Sequence, residues 1–133
     1  MEKWADVNPR NDSGDLLCIA TFLPLKSWRD LIPFFRMSLR IERQLKRSPA
    51  LVRYSLRTDL PHKRFWTLSL WNERGGVNTF VSAEPHATAV RRFEKWAGPG
   101  AAFVEWTVAD KAPGWPEALE KLQTPTFYYQ AAG

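Results

Sequence analysis

Residues 64–106, RFWTLSLWNERGGVNTFVSAEPHATAVRRFEKWAGPGAAFVEW, decide the fold of this chain. The stretch reads as strand, turn, helix, turn and strand. Phe65 to Trp71 is a run of β-favouring residues. Gly75-Gly76 opens the helical part, and Gly98-Pro99-Gly100 ends it. The stretch therefore predicts half of a small α+β domain, with a lone histidine, His86, on its helix.

The helix in this stretch is predicted to be interrupted near Pro85, because proline fits only the first turn of a helix. Ser82 is the predicted cap of the continuing segment. In that segment His86 shares a stripe with Val90 and Phe93. Helical phase thus places the imidazole among apolar side chains and not among the charges.

The rest of the chain supplies a matching half. The run at 16–23, LLCIATFL, is almost wholly apolar and predicts a strand that ends at Pro24. In the run at 50–58 the side chains alternate between two faces of a predicted strand. Val52, Tyr54 and Leu56 lie on one face, and the other face is more polar. A helical region is predicted at 27–48, with Ser27 as its cap and Pro33 near the start of its main helix. The remaining predicted elements are a strand at 101–108 and a short helix after Pro116.

The helical region at 27–48 has apolar and basic sides. Two apolar lines fall at helical spacing, Trp28, Ile32, Phe35 and Leu39 in one and Phe34, Ser38, Ile41 and Leu45 in the other. Arg36, Arg40, Arg43 and Arg47 form a stripe on the other side. The stripe predicts a solvated helix face; no RNP-type, zinc-finger or glycine-loop motif accompanies it, so nucleic-acid binding is not predicted.

The element order β-α-β-β-α-β predicts a ferredoxin-like α+β fold, in which a four-stranded antiparallel sheet carries two helices on one face. The strands at 16–23 and 65–71 are apolar or small on both faces, so something must also cover the second face of the sheet. A second copy of the sheet would cover it and give a homodimer with a shared α/β barrel. The N-terminal arm and the C-terminal helix are the alternative cover.

The chain has 133 residues, 44% of them apolar and 14% aromatic, which is typical of one globular domain. We predict an arm at 1–15, the ferredoxin-like domain at 16–110, and a short helix and tail at 111–133. The one cysteine, Cys18, cannot form an intramolecular disulfide. No apolar run reaches the roughly 20 residues of a membrane span. These features predict a cytoplasmic protein without membrane insertion.

The pattern FWTLSLW, then Phe80, PHATAV and FVEW resembles the dimeric α/β-barrel superfamily that includes antibiotic-biosynthesis monooxygenases. Within it, the pattern is most similar to spheroidene monooxygenase-like proteins. The resemblance covers about residues 16–108 and implies a pocket between the sheet and the helices. It also implies that haem, if bound, would have His86 as its iron ligand. The ligand position of haem-degrading members falls near Val90, which cannot bind iron, so the haem-degrader hypothesis fails.

Three candidate catalytic residues follow from these arguments. His86 is predicted to be a haem ligand or a general base near neutral pH, and the alternative is a structural helix histidine that is hydrogen-bonded near the Pro85 break. Tyr54 could donate a hydrogen bond to a bound carbonyl or oxygen, and Arg53, on the opposite face of the strand, could hold an acid. Glu105 lies in an otherwise apolar strand and is expected to have an arginine partner across the sheet if it faces inward.

The candidate substrate-binding residues are Trp28, Phe35, Trp66, Ser69, Trp71 and Phe93. Trp66 and Trp71 must lie on opposite faces of their strand, so at most one of them lines the pocket. The histidines and the cysteine do not have zinc spacing, and no nucleophile elbow, P-loop or dinucleotide fingerprint is present.

We therefore expect a monooxygenase-like enzyme of secondary or lipid-like metabolism that acts on an apolar small molecule, with haem on His86 or without a cofactor. A cofactor-free cyclase or isomerase with His86 as acid/base is the alternative enzyme. A non-catalytic ligand-binding or dimerisation domain is the alternative outside enzymes.

Overall fold

A six-stranded antiparallel sheet carries the fold in the computed structural model, which describes residues 4–9, 15–84, 86–108 and 114–128. The strands are β1 (Trp4–Asp6), β2 (Leu16–Pro24), β3 (Leu51–Asp59), β4 (Arg64–Trp71), β5 (Ala102–Val108) and β6 (Phe127–Tyr128). Their spatial order is β1-β3-β4-β2-β5-β6. β2 to β5 form the ferredoxin-like core that the sequence predicts.

The predicted count of four strands is wrong, because a short strand adds to each edge. β1 pairs with β3, with Trp4 opposite Ser55, and β6 pairs with β5, with Phe127 opposite Phe103. Strands of two or three residues are too short for the alternation that identifies a strand in a sequence. Both edge strands also come from the predicted arm and tail, whose separation from the domain stays a prediction.

The helices are α1 (Leu31–Lys46), α2 (Arg74–Ser82), α3 (His86–Trp96) and α4 (Trp115–Lys121). Ser27 caps a short 3-10 turn at Trp28–Asp30, and α1 starts after it. The cap predicted at Ser82 is corrected: the Ser82 hydroxyl donates to the Asn78 carbonyl oxygen at 2.7 Å, inside α2. Pro85, the predicted cause of the interruption, lies outside the described residues.

A β-bulge near the start of β3 corrects the predicted alternation of that strand. Leu51 pairs with Trp71 and Arg53 with Leu70, so Val52 is the additional residue. Leu51 consequently shares the helix-facing side with Tyr54, while Val52 packs on the opposite side. Strict alternation had placed Leu51 with Arg53 and Val52 with Tyr54. From Arg53 onward the prediction of opposite faces for Arg53 and Tyr54 is correct.

The helix-covered side of the sheet, here the inner face, packs against one of the two apolar lines of α1. Phe34, Met37 and Leu45 are buried, and the Phe34 ring lies 4.7 Å from the Phe65 ring, centroid to centroid. The line of Trp28, Ile32, Phe35 and Leu39 is exposed instead. A helix on a sheet can bury only the part of its circumference that faces the sheet, so the second apolar line stays largely exposed, and only Phe35 reaches the sheet, with its ring 5.5 Å from the Phe65 ring.

The opposite side of the sheet, the outer face, is covered in part by α4. Trp115 and Ala118 are buried against Leu68 and Cys18, and the Trp115 indole nitrogen donates to the buried Ser55 hydroxyl at 3.1 Å. The expectation of a covered second face is therefore correct, and over this part the cover is the C-terminal helix. The homodimer stays a prediction. Among the described residues, no helix has the length and apolar character needed to cross a membrane.

Candidate functional site

An aromatic row runs from the inner face of β4 to the start of α3. The Trp71 indole nitrogen donates to the Ser69 hydroxyl at 2.9 Å, which fixes the orientation of the buried Trp71 ring. The Phe80 ring lies 5.4 Å from the Trp71 ring and 4.7 Å from the His86 ring. The row thus connects the polar centre of β4 with the histidine, and it brings together three predicted site residues, Ser69, Trp71 and His86.

His86 is the first residue of α3 and is half-buried. Its Nδ1 lies 3.3 Å from the Val81 carbonyl oxygen. Burial lowers the pKa of His86 from its usual 6.5, while the hydrogen bond to Val81 acts in the opposite direction. The lowered pKa favours the neutral form of the ring at pH 7. With the Nδ1 proton directed at the carbonyl, Nε2 retains its lone pair and can act as a base.

Gln44 of α1 holds the junction between α2 and α3. Its side-chain nitrogen donates to the Phe80 carbonyl oxygen at 2.9 Å, and its side-chain oxygen accepts from the His86 backbone N–H at 3.2 Å. Helix ends leave such backbone groups without intrahelical partners, and here one side chain satisfies a carbonyl of α2 and an N–H of α3. The sequence analysis missed Gln44, because nothing in the local pattern of α1 indicates a contact with residues so distant along the chain.

Tyr54 lies on the inner face beside the row and is paired with a carboxylate. Its hydroxyl donates to Glu42 at 2.8 Å. Burial raises the pKa of Tyr54, and the hydrogen bond and charge of Glu42 raise it further, so the phenol stays protonated. Sequence analysis missed Glu42. The available signal was that it is the one acid of α1 and follows Ile41, which lies on the core-facing line.

The centre of the inner face is not sealed by the helices. Thr21 pairs with Thr67 and Ile19 with Ser69, across the two central strands, and all four side chains are half-buried. Side chains at the centre of a helix-covered sheet are usually buried completely. These four residues, called the central strip below, therefore form an accessible surface that is partly polar and that includes the predicted site residue Ser69.

Two surface cavities lie away from the central strip. One, of about 540 Å³, lies between Lys26–Asp30 and Lys95–Trp96. The other, of about 480 Å³, lies between the end of α1 and α2, with Gln44 and Phe80 in its lining. α2 is held close at this cavity, since a Cβ on Gly76 would lie 2.1 Å from the Ala50 Cβ. The enclosed pocket expected between sheet and helices stays a prediction.

The other predicted site residues are not brought together with His86. Arg53 is on the outer face, where it pairs with Asp6 at 3.1 Å. Trp66 is on that face too, stacked on Phe22 at 5.3 Å. The remaining three lie elsewhere, Trp28 and Phe35 exposed at the outside of the molecule and Phe93 buried beside Phe34.

Glu105 has the arginine partner that was expected for it. Two nitrogens of the Arg74 guanidinium donate to the two Glu105 carboxylate oxygens, at 2.9 and 3.1 Å. Arg74 is the first residue of α2, so the partner comes from a helix and not from across the sheet. The hydrogen bonds and charge of Glu105 raise the pKa of Arg74. The pair joins α2 to β5 at the border of the inner face.

The role of His86 as a haem ligand stays a prediction. A haem ring needs a cavity of several hundred Å³ in contact with the ligating nitrogen. Neither of the two cavities is lined by His86, and one side of the imidazole already contacts Phe80. Over the described part of the chain, no group of three or more histidine, cysteine, aspartate or glutamate side chains could hold a metal ion.

Solved structures with the same fold include several oxygenases. SnoaB from Streptomyces nogalater, a cofactor-independent oxygenase, matches with a TM-score of 0.59 and 11% identity over 76% of this chain and 100% of its own. An antibiotic biosynthesis monooxygenase matches with a TM-score of 0.59 and 12% identity over 73% and 99%. A conserved protein from Methanosarcina mazei matches with a TM-score of 0.59 and 7% identity over 73% and 94%.

These likenesses confirm, at the level of the fold, the resemblance to antibiotic-biosynthesis monooxygenases. No family model matches the sequence, and no curated protein matches it. The greater similarity to spheroidene monooxygenase-like proteins stays a prediction.

Proposed function

We propose that this chain is a cofactor-independent oxygenase of apolar, ring-bearing small molecules. The observation that carries the proposal is the half-buried His86 at the end of an aromatic row that leads to the accessible central strip. The substrate extends from the strip towards His86, along the edges of the Trp71 and Phe80 rings, which are 2% and 8% exposed. The proposal is supported by the fold that the chain shares with SnoaB, which is itself a cofactor-independent oxygenase.

The proposed reaction begins with proton transfer from an acidic methylene of the substrate to Nε2 of His86. The resulting carbanion passes its electrons to dioxygen, and a carbon–oxygen bond forms. Loss of water from the hydroperoxide leaves a carbonyl group. The methylene carbon is oxidised by four electrons, and dioxygen is reduced to one carbonyl oxygen and one water, so no other reductant is needed. The apolar rings keep water away from the carbanion.

Tyr54 has a supporting part in this scheme. Its high pKa keeps the hydroxyl as a donor, and the Glu42 carboxylate accepts that proton in the resting protein. A substrate carbonyl that enters beside Tyr54 competes with Glu42 for the same hydrogen bond. The enolate form of the substrate accepts this bond more strongly than the neutral form, so the contact favours deprotonation.

The same base without dioxygen gives the second candidate, a cyclase or isomerase. A neutral imidazole that takes a proton at Nε2 and returns it at another carbon moves a double bond without oxidation. Oxygen consumption separates the two reactions, because the isomerase consumes none.

The test is oxygen uptake with dithranol, an apolar tricyclic phenol with an acidic methylene group, corrected for the protein-free rate. The wild-type protein without added cofactor should accelerate uptake, and His86→Gln should lower this acceleration by about 10²–10⁴-fold, the usual contribution of a general base. His62→Gln is the control, because His62 lies in an exposed turn with Asp59. Unchanged uptake in His86→Gln would refute the role of His86.

An absorption spectrum of the same preparation tests the cofactor. A colourless protein that stays active supports the proposal. A Soret band that disappears in His86→Ala would contradict it and restore the haem form of the hypothesis.

A further inference from the structure

An exposed apolar row lies on the outside of α1 and the turn before it. Trp28 is 53% exposed, Ile32 66%, Phe35 40% and Leu39 57%. They recur at helical spacing, so they form one continuous line and not scattered positions. Single exposed apolar residues are normal on a protein surface, but a continuous row of large ones indicates a binding surface.

A basic row runs beside the apolar one. Arg36 and Arg40 each follow a member of the apolar row in sequence, and Arg43 and Arg47 continue their line. Adjacent residues of a helix are turned by about 100°, so the two rows are neighbours on the outer surface. All four arginines are exposed. We call the two rows together the α1 surface.

The charge of the α1 surface is of one sign. Glu42 is the only carboxylate of α1, and it accepts the hydrogen bond from Tyr54 beneath the helix. The Lys63 ammonium lies 4.9 Å from the centre of the Trp28 ring and adds another cation at the end of the apolar row. The partner of this surface must therefore be anionic and must accept aliphatic side chains at the same time.

We propose that the α1 surface binds an anionic lipid bilayer, with the helix lying in the plane of the interface. Helices of this kind place aromatic and aliphatic side chains at the boundary of the acyl chains, and their cations contact the anionic head groups. A single-stranded nucleic acid would use flat rings and cations, but it offers nothing to Ile32 and Leu39. A second copy of the chain would place its own arginines against these, and the like charges would repel each other.

This surface is separate from the proposed reaction site. The central strip lies on the face of the sheet that α1 covers, and His86, at the start of α3, contacts Gln44 of α1, which belongs to neither row, so a protein bound through the α1 surface keeps the strip free of the bilayer. Membrane binding can therefore fail without affecting the oxygenase proposal, and the reverse also holds.

The test is co-sedimentation of the full chain with vesicles of phosphatidylcholine and with vesicles that also contain phosphatidylglycerol. Binding to the anionic vesicles should be stronger and should weaken as salt is added. Arg36→Gln with Arg40→Gln should weaken binding roughly 30-fold, from about fivefold for each charge near the surface. Ile32→Ser with Leu39→Ser should weaken binding to both kinds of vesicle.

Matched variants on other helices complete the experiment. Arg91→Gln with Arg92→Gln removes two exposed arginines from α3, and Val81→Ser removes an exposed aliphatic residue from α2; both should bind like the wild type. Equal losses in these controls would overturn the proposal, and so would absence of binding to the anionic vesicles. Tighter binding to a single-stranded oligonucleotide than to vesicles would overturn it as well, as would a dimer that Ile32→Ser with Leu39→Ser separates into monomers.

Discussion

Three neighbouring residues set the protonation and the position of His86. Val81 fixes which nitrogen carries the proton, Phe80 shields one side of the ring, and Gln44 holds the backbone N–H. The stripe with Val90 and Phe93 predicted an apolar environment for the imidazole, and this agrees with its partial burial. The Gln44 contact could not be predicted, because it depends on how α1 packs against the junction of α2 and α3.

Protonation of His86 should make the stability of the folded protein depend on pH. Because burial lowers its pKa in the folded protein, the unfolded chain binds the proton first as pH falls. The free energy of unfolding should therefore be at its full value above about pH 6.5, the unfolded pKa of histidine, and decrease as pH falls through it. Denaturant titrations across this range measure the effect. The His86→Gln variant should lack the part of the pH dependence that His86 contributes.

An NMR titration measures the pKa of His86 directly. The His62→Gln variant leaves a single imidazole, so its signal is assigned without ambiguity. A pKa of His86 at or above 6.5 would contradict the burial argument.

At the scale of elements, α4 has the clearest effect on stability. Its first residue, Trp115, is buried on the outer face and donates to Ser55, and Ala118 is completely buried beside it. The helix thereby covers Cys18, whose thiol pKa is raised by burial and by the nearby Glu117 charge. The sequence predicted a short helix here, and it also required a cover for the outer face. That this short helix is the cover of the outer face depends on how the segments pack in three dimensions.

Trp115→Ala should lower the free energy of unfolding by about 3–5 kcal/mol, because it leaves a large cavity and an unsatisfied Ser55. It should also speed the reaction of Cys18 with a thiol reagent under native conditions. Trp28→Ala is the matched control: Trp28 is 53% exposed, and its removal should cost less than about 1 kcal/mol. Equal costs for the two variants would show that α4 does not cover the sheet as described.

At the scale of the whole molecule, the covered outer face bears on the predicted homodimer. α4 already occupies the part over Cys18 and Leu68, so a second sheet could reach the part where Phe22 stacks on Trp66. Four of the seven tryptophans, Trp4, Trp66, Trp106 and Trp115, lie on or over this face. Contact through the remaining part would be smaller than a complete sheet-on-sheet interface.

Sedimentation at micromolar concentration tests the dimer. A mass of two copies that falls to one copy on Trp66→Lys would support a contact through the outer face, since a buried lysine at a two-fold contact costs much of the association energy. A one-copy mass for the wild type would contradict the dimer.

The sequence by itself determined the four core strands, the two-helix pattern and the need to cover both faces of the sheet. These follow from periodicity and composition, which act locally along the chain. The tertiary structure alone decided that Phe34 is buried while Phe35 stays 40% exposed at the edge of the Phe65 ring, that Arg53 points away from His86, and that Gln44 and Glu42 join the site. Such choices depend on which side of a helix meets the sheet and on a one-residue bulge in β3, and both are settled only when distant segments pack together.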